Sequence, residues 1–234
     1  CICVAYEGME RFFPADKIVM TGNPIRSIIV PATPEMKEAG IKEYGLDPSR
    51  KHIFIVGGSL GSARFNQCMK EWISDGCPGL DGVDVLWQCG KHYRPDIDRF
   101  MDEQRTKNPD VARHIHHSDF IGRMELAYAA ADVVISRSGA SSVSELCAAR
   151  KAVIFIPSPN VAEDHQTHNA MALVKKDAAV VVKDAEAMEK MIPTALELLK
   201  DPARIARLEE NAGKMALPDA AEKIAEEVYK LIKD

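Results

Sequence analysis

The sequence predicts an α/β fold built on a doubly wound parallel sheet, and three observations support this fold class. Short, continuously apolar segments alternate with longer amphipathic segments along most of the 234-residue chain. Strands that are buried on both faces of a parallel sheet have this continuous apolar pattern. The links between segments are short and polar or glycine-rich, as in βαβ units. The composition, 46% hydrophobic and 28% charged residues, is typical of a globular protein.

Each element follows from this alternation in chain order. Two short apolar strands open the chain, one ending near Gly8 and one ending at a Gly-Asn-Pro turn at residues 22–24. Pro31 and Pro34 predict a polar connector over residues 30–40. The predicted strands of the sheet are 52–56, 83–88, a strand that follows the surface run 114–117 and ends at Phe120, 131–139, 151–159 and 178–184. The predicted helices are 62–74, 95–106, 123–131, 141–150, 164–177 and 185–201, with C-terminal helices broken near Pro218.

Charge and cysteine content exclude several classes of protein. A formal net charge of -5 gives no reason to expect a nucleic-acid partner. The six cysteines form no CxxC pair, which favours reduced thiols in a cytosolic protein over a disulfide framework. No apolar run approaches the roughly 20 residues that cross a bilayer, and no signal peptide is evident. Because the chain opens at Cys1 within a strand-like run, we expect a piece of a longer protein.

The glycine-rich loop after the first regular strand, GGSLGS at residues 57–62, is the first candidate site. Backbone N–H groups at a strand–helix turn and the helix dipole favour an anion. Gly58, Ser59 and Gly61 are therefore candidate contacts to a diphosphate, with the Ser59 hydroxyl as a donor. The spacing is neither GxGxxG nor a nucleoside-triphosphate P-loop. A tight turn with close helix–sheet packing explains the glycines equally well.

A second loop, SRSGASSVSEL at residues 136–146, again leads from a strand into a helix. Gly139 permits a tight turn, and Ser141 or Ser142 is expected to cap the helix. Glu145 is expected in or just past the first turn. Its carboxylate either closes a capping box or accepts two hydrogen bonds from a ribose diol.

Two further loops follow strand ends. Phe120 and Ile121 form an apolar pair that either packs in the core or covers a planar base, with the Ile121 backbone at the base edge. The helix beginning near residue 164 offers polar groups suited to sugar hydroxyls, namely Asp164, His165, Gln166, Thr167 and Asn169. His165 and His168 share a helical face, but no third ligand is evident and no metal site is predicted.

Taken together, the ordered motifs VGGSLGSARFN, DFIGRMELAYAAADVVISRSGASSVSEL and EDHQTHNA resemble the C-terminal half of the MurG family, bacterial N-acetylglucosaminyltransferases. The segment around TGNPIR resembles that family's interdomain segment. The resemblance implies a glycosyltransferase B architecture, in which two Rossmann-like domains face a cleft. It implies a remnant of the N-terminal acceptor domain at 1–22, a linker at 23–34, a UDP-sugar domain at 35–218 and a helix at 219–234 returning toward the N-terminal domain.

The resemblance also implies roles for individual residues. The Ile121 backbone resembles the uracil contact, with Phe120 and Met124 beside it, and Glu145 resembles the ribose ligand. Gln166 resembles a ligand of the sugar hydroxyls. Some members have two adjacent glutamines where this chain has Gln166 and Thr167, so His165 is the candidate substitute for the second. The remaining resemblances are Ser59 and the glycines to the diphosphate contact, Ala140, Ser141 and Ser142 to helix-start phosphate contacts, and Arg26 to an arginine near the nucleotide.

The implied reaction transfers N-acetylglucosamine from UDP to the 4-hydroxyl of the muramoyl sugar of undecaprenyl-linked lipid I, with inversion, giving lipid II for peptidoglycan. The resemblance places the family at the cytoplasmic face of the plasma membrane, as a peripheral protein without a required cofactor. The acceptor, the membrane surface and the general base are expected at the N-terminal domain. We therefore expect this chain to bind the donor without transferring sugar.

Three rival functions differ in their residue requirements. Another UDP-sugar enzyme of the same architecture, such as a 2-epimerase, needs acid–base groups at the sugar ring, which the sequence does not identify. A non-catalytic nucleotide-binding module predicts binding without discrimination between sugars. An NAD-dependent dehydrogenase is disfavoured because GxGxxG fails and no acidic residue ends the second strand, where VLWQCG stands.

Overall fold

The computed structural model describes residues 1–6, 8–161 and 164–233, and strands and helices alternate through most of residues 51–199. The strands are β1 (Ile2–Val4), β2 (Ile18–Met20), β3 (Lys51–Val56), β4 (Val83–Gln88), β5 (Ile115–Ser118), β6 (Val133–Ser136), β7 (Val153–Phe155) and β8 (Val180–Val181). The helices are α1 (Pro34–Tyr44), α2 (Ala63–Ser74), α3 (Arg94–Lys107), α4 (Pro109–Ala112), α5 (Met124–Ala130), α6 (Ala140–Ala148), α7 (His165–Val174), α8 (Ala187–Leu199), α9 (Pro202–Lys214) and α10 (Ala220–Lys233).

One parallel sheet holds six of these strands, in the order β5-β4-β3-β6-β7-β8. Counted from β3, this is the order 3-2-1-4-5-6 of the Rossmann fold. The direction of strand addition reverses between β3 and β6, whose last residues, Val56 and Ser136, lie side by side. The predicted doubly wound parallel sheet is therefore confirmed, and its switch point lies between β3 and β6.

Alternate residues of β3 enter two hydrophobic cores, one on each face of the sheet. Ile53 and Ile55 belong to a core that includes residues of α2, α3 and α8. Phe54 and Val56 belong to the other, with residues of α5, α6 and α7. Successive side chains of a strand point to opposite faces, which produces this division. Full burial of each such side chain contributes about 1.5–3 kcal/mol, so both faces fix the sheet that positions the loops.

Helix α1 corrects the prediction of a polar connector over residues 30–40. Thr33 caps the helix, since its Oγ1 accepts the Met36 N–H at 3.3 Å. Pro34 occupies the first helical position, where the missing N–H has no intrahelical partner to lose. Gly45 ends the helix with a φ of 66°. Two prolines in a polar stretch therefore mark a helix start here, and α1 packs against α5.

The histidine run before and within β5 is less exposed than the sequence predicts. His114 Nδ1 lies 2.8 Å from Asp84 Oδ1, and His116 Nε2 lies 3.7 Å from Asp84 Oδ2. The side chain of His117 is only 5% exposed and lies beside Trp87. β5 is paired along β4, and its histidines turn inward toward carboxylates of β4 and α3, Asp84 and Asp98.

The two ends of the chain lie together. β1 and β2 form a separate parallel pair, and Cys1 Sγ is 3.5 Å from Glu227 Oε2 of α10. Ala220, at the start of α10, is fully buried, whereas Val228, Tyr229 and Leu231 are exposed. None of the helices in the described ranges is both long and apolar enough to cross a membrane.

Candidate functional site

A pocket of about 600 Å³ opens at the carboxyl ends of β3, β6 and β7, next to the switch point of the sheet. Ligands of doubly wound sheets bind in the crevice at this position. We call it the carboxyl-edge pocket. Its lining includes Gly58, Gly61, Arg64, Arg137, Ser142, Ser158, Gln166 and Asp184.

The glycine loop forms one wall of the pocket, and its glycines serve close packing as well as an open backbone. Gly58 and Gly61 have φ values of 93° and 78°, which favour glycine. A Cβ on Gly61 would clash with the carbonyl of Cys89, and one on Gly57 would lie 2.6 Å from the Ser62 nitrogen. The Gly57 N–H donates to Gln88 Oε1 at 3.2 Å, which ties the loop to β4. Ser59 is exposed and does not line the pocket.

The start of α2 presents a cap and a cation to the same pocket. Ser62 is the N-cap, and its Oγ accepts the Phe65 N–H at 3.3 Å and Arg137 Nη2 at 3.0 Å. Arg64, in the first turn, places Nε 3.3 Å from Asp184 Oδ2. The helix start therefore combines the positive end of the dipole with a guanidinium group.

Arg137 is the functional candidate that the sequence analysis missed. Its Nη1 donates to the Ile156 carbonyl at 2.9 Å and to Asp184 Oδ1 at 2.6 Å. Its guanidinium carbon lies 4.6 Å from the centre of the Phe65 ring, and its side chain is only 13% exposed. One feature of the sequence could have identified Arg137: it comes directly after the buried strand β6, so its charge lies at the carboxyl edge of the sheet. Two arginines share one carboxylate at this wall, which leaves the wall with a net positive charge.

Helix α6 begins at the opposite wall, with backbone donors that have no intrahelical partner. Gly139 is its N-cap, and no side chain in the described ranges caps it. The prediction that Ser141 or Ser142 caps this helix is wrong, because both lie one to two residues inside it. The first intrahelical bond runs from the Val143 N–H to the Gly139 carbonyl at 3.0 Å. The N–H groups of Ala140, Ser141 and Ser142 therefore precede the intrahelical ladder, and Ser142 lines the pocket.

The loop after β7 and the start of α7 close the pocket. Gln166 Oε1 accepts the Ser158 N–H at 2.9 Å, and the Gln166 carbonyl accepts Ser138 Oγ at 2.9 Å. These bonds hold Gln166 against the turn that precedes α6. His165 is exposed at the first position of α7. Thr167 Oγ1 donates to Asp164 Oδ1 at 2.6 Å. Residues 162 and 163 of this loop, which include the first residue of the EDHQTHNA motif, lie outside the described residues.

Glu145 lies in the second turn of α6, so it does not close a capping box at the helix start. Its carboxylate instead accepts two hydrogen bonds from Arg26, Nε to Oε1 and Nη2 to Oε2, each 2.9 Å long. Tyr128 adds a bond of 3.3 Å from its hydroxyl to Oε2. Burial and the nearby Glu145 charge raise the pKa of Tyr128 above its ordinary value, so its hydroxyl stays protonated and donates.

The apolar group predicted to cover a base lies at the start of α5, outside the pocket lining. Phe120 is 61% exposed, whereas Ile121 is 4% exposed and belongs to a core. Met124 is partly buried against the same core. The structure thus gathers Gly58, Gly61, Ser142 and Gln166 in one pocket and leaves Phe120, Ile121 and Met124 outside its lining. An exposed aromatic side chain beside a buried residue is available for contact with a planar ligand.

Metal-ligating side chains do not cluster in the described residues, where no group of three or more His, Cys, Asp or Glu is placed to hold an ion. The six cysteines are free thiols. Burial raises the pKa of Cys147 to about 12, and Cys1 and Cys3 are exposed.

Comparisons with known proteins match this architecture. The family model of the glycosyltransferase family 28 C-terminal domain matches residues 52–224. The UDP-N-acetylglucosamine--N-acetylmuramyl-(pentapeptide) pyrophosphoryl-undecaprenol N-acetylglucosamine transferase of Bacteroides thetaiotaomicron is 47% identical over 230 residues, 98% of this chain and 60% of that enzyme. The chain therefore spans about 60% of the length of this relative.

Two solved structures share the fold at lower identity. MurG of Acinetobacter baumannii superposes with a TM-score of 0.69 at 23% identity, over 97% of this chain and 59% of the other. The UDP complex of MnaA from S. aureus superposes with a TM-score of 0.64 at 13% identity, over 96% of this chain and 57% of the other. At these identities the two structures establish the fold of this chain.

Proposed function

Because this chain belongs to the glycosyltransferase family 28 C-terminal domain family, we propose that it forms the donor-binding half of an N-acetylglucosaminyltransferase. The donor is UDP-N-acetylglucosamine, and the acceptor is the 4-hydroxyl of the muramoyl sugar of undecaprenyl-linked lipid I. The name of the Bacteroides thetaiotaomicron relative, 47% identical, supports this donor and this lipid-linked acceptor. The product, lipid II, serves peptidoglycan synthesis.

One observation carries the proposal: two helix starts and two arginines converge on one pocket at the switch point of the sheet. The first turns of α2 and α6 supply backbone donors, and Arg64 and Arg137 add positive charge. Each exposed helix start stabilises an anion by about 0.3–1 kcal/mol, and by up to about 2 kcal/mol in partly buried geometry. A diphosphate, with charge spread over several oxygens, matches a pocket that offers donors from opposite walls.

The residue roles in the proposal extend outward from the diphosphate. The loop glycines, and the N–H groups of Ala140, Ser141 and Ser142, hold the diphosphate. Glu145, three residues beyond Ser142 on the same helical face, contacts the ribose, with Arg26 beside it. The Ile121 backbone contacts the uracil edge with Phe120 and Met124 nearby, and Gln166 with His165 contacts the sugar.

The proposed mechanism is a single in-line displacement with inversion, in which the acceptor oxygen forms a bond to the anomeric carbon as UDP leaves. Negative charge then develops on the diphosphate. Donors aimed at that charge stabilise the transition state more than the ground state. The two helix starts and the two arginines supply this stabilisation. We place the base that removes the acceptor proton in the part of the transferase that this chain does not span, together with the lipid and the cytoplasmic membrane surface.

Calorimetric titration of the chain with UDP-N-acetylglucosamine, UDP-glucose, UDP and NAD tests the proposal. We expect the acetylated sugar nucleotide to bind most tightly and NAD not to bind. Glu145→Ala should weaken binding by about 1–3 kcal/mol, roughly five- to a hundredfold. Glu103→Ala, on the exposed face of α3, is the matched control and should leave the affinity unchanged.

Other outcomes separate the rival functions. Equal affinity for UDP and both sugar nucleotides would favour a nucleotide-binding module. Tight binding of NAD would contradict the proposal outright. Circular dichroism of each variant tests whether the chain stays folded without the Glu145 carboxylate.

A further inference from the structure

The strongest side-chain contact next to the proposed ribose site joins α6 to the segment between β2 and α1. Arg26 binds both carboxylate oxygens of Glu145 at 2.9 Å, a fork-to-carboxylate geometry that adds orientation as well as energy. The Glu145 side chain is 11% exposed and that of Arg26 is 45% exposed. A half-exposed arginine therefore fixes a largely buried carboxylate at the edge of the candidate site.

The same segment is attached to α6 at a second point. Asn23 Nδ2 lies 3.2 Å from Ser144 Oγ and 3.4 Å from the Ala140 carbonyl. Residues 23–26 therefore contact the first and second turns of the helix whose start opens on the carboxyl-edge pocket. A rotation of the Glu145 side chain would break both bonds to Arg26 at once.

The contact with Arg26 limits how many further hydrogen bonds the Glu145 carboxylate can accept. A carboxylate offers about four lone-pair positions. Arg26 occupies one on each oxygen, and the Tyr128 hydroxyl occupies a second on Oε2. The position left is on Oε1, the oxygen that Arg26 Nε holds. One hydroxyl donor can therefore be accepted there without breaking any existing bond.

We propose that Arg26 is a positioning residue for nucleotide selection, which acts by holding Glu145 so that Oε1 accepts one ribose hydroxyl. The inference rests on the proposed ribose contact of Glu145. It assigns the preference for ribose over deoxyribose to residues 23–26, outside the pocket itself. Nucleotide binding at Glu145 is thereby coupled to the segment that connects the first two strands to α1.

The test compares UDP with its 2′-deoxy and 3′-deoxy analogues by calorimetry on the 234-residue chain. The unmodified chain should bind UDP roughly ten- to 150-fold more tightly than one of the analogues, the range expected when a hydrogen bond to a charged group is lost. Arg26→Lys keeps the charge but loses the fork, and Arg26→Gln keeps polarity alone. Both should bring that ratio close to one while the affinity for the weaker analogue stays the same.

The ratio distinguishes positioning from direct contact with the nucleotide. Equal weakening of UDP and the analogues by the Arg26 variants, with the ratio preserved, would overturn the inference, because Arg26 would then act by direct contact or by charge. An unmodified chain that binds UDP without any preference for ribose would overturn it too, while leaving donor binding intact. No binding of UDP by the unmodified chain would instead defeat the proposed function. Arg105→Lys, at an exposed pair on α3, is the matched control and should leave every ratio unchanged.

Discussion

At the scale of single residues, the glycine loop shows that two glycines of similar conformation meet different constraints. Gly58 and Gly61 both have positive φ. No described atom lies within 4 Å of a Cβ placed on Gly58, whereas a Cβ on Gly61 would clash with backbone atoms of Cys89 and Gly90. A side chain at position 58 thus causes backbone strain alone, and one at position 61 also displaces the loop after β4.

We predict that Gly61→Ala destabilises the chain more than Gly58→Ala does. Gly58→Ala should cost about 1–2 kcal/mol, the strain of a left-handed conformation. Gly61→Ala should lower the free energy of unfolding by more than this, because the clashing atoms belong to the backbone of Cys89 and Gly90 and cannot rotate away as a side chain could. Urea unfolding measures both free energies.

Gly76→Ala is the matched control, because it introduces similar backbone strain away from the carboxyl-edge pocket. Gly76 has a φ of 82° and open space around it, at the end of α2. The Gly76→Ala substitution should lower the free energy of unfolding as much as Gly58→Ala does and should leave UDP binding unchanged. Equal stability of the Gly58 and Gly61 variants would contradict the packing argument.

Sequence reasoning at this scale identifies residues by type and spacing but not their partners. Ser142 and Gln166 do line the pocket. Arg26 and Glu145 are separated by more than a hundred positions, so their bidentate contact cannot be inferred from either local pattern. The buried contacts of Arg137 with Asp184 are missed for the same reason.

At the scale of elements, the starts of β3, β4 and β5 are joined through one buried carboxylate. Asp84 of β4 is 1% exposed, and Arg50 Nε, just before β3, lies 2.7 Å from its Oδ1. The Asp47 N–H donates to its Oδ2 at 2.8 Å. Burial alone would raise the pKa of Asp84, but the neighbouring His116 imidazole and the hydrogen bonds from the Asp47 N–H and His114 outweigh it and hold that pKa below its usual range.

We predict that this carboxylate makes stability depend on pH on the acid side. Because the folded-state pKa of Asp84 lies below the unfolded value of about 3.9, its contribution is fully present above that value. This contribution to stability is lost as the pH falls below the unfolded-state pKa toward the folded-state pKa. Asp84→Asn should cost about 3 kcal/mol near pH 6, since it removes the carboxylate partner of Arg50, whose side chain is only 17% exposed. The loss of stability between pH 6 and about pH 3.5 should also be smaller than in the unmodified chain.

Guanidinium unfolding at both pH values measures these differences. Asp81→Asn, at an exposed position just before β4, should leave the pH profile unchanged. An Asp84→Asn profile parallel to that of the unmodified chain would show that other carboxylates account for the acid sensitivity.

The elements themselves follow closely from the apolar pattern. β4 is predicted at its observed bounds, and α2 within one residue. Helix α1 is missed because its polar, proline-containing start has the composition of a loop, and its stability depends on packing against α5. Hydrophobic periodicity predicts whether a segment is a strand or a helix. Tertiary contacts decide whether a segment with a weak pattern, such as α1, forms regular structure at all.

At the scale of the whole molecule, the two edges of the sheet differ in chemistry more than in size. A groove of about 750 Å³ at the opposite, amino edge is larger than the carboxyl-edge pocket. We call it the amino-edge groove, and its lining includes Lys37, Asp132, Lys151 and Glu209. Lys37 Nζ lies 2.9 Å from Asp132 Oδ1, and Lys151 Nζ lies 3.7 Å from Glu209 Oε1. Each of these cations faces a carboxylate. Helices α1 and α9, which start at this groove, are capped by Thr33 and Asp201. No side chain in the described residues caps the start of α6, and this difference favours the carboxyl edge for an anionic ligand.

The strand order of the sheet is not available from local patterns, because it depends on pairing between segments far apart in the chain. Alternation predicts a doubly wound sheet and therefore a site at the carboxyl ends. The position of the switch point between β3 and β6 comes from the structure alone. It is this order that brings the glycine loop and the start of α6 to the same pocket.

The most direct test of the proposed donor site is a titration of the ¹⁵N-labelled chain with UDP, followed by amide chemical shifts. We predict the largest shifts at Gly58, Gly61, Ile121, Ala140 and Ser142, with amides of the amino-edge groove at Lys151 and Glu209 unmoved. Shifts concentrated in the amino-edge groove, or none at the starts of α2 and α6, would contradict the placement of the nucleotide at the carboxyl edge of the sheet.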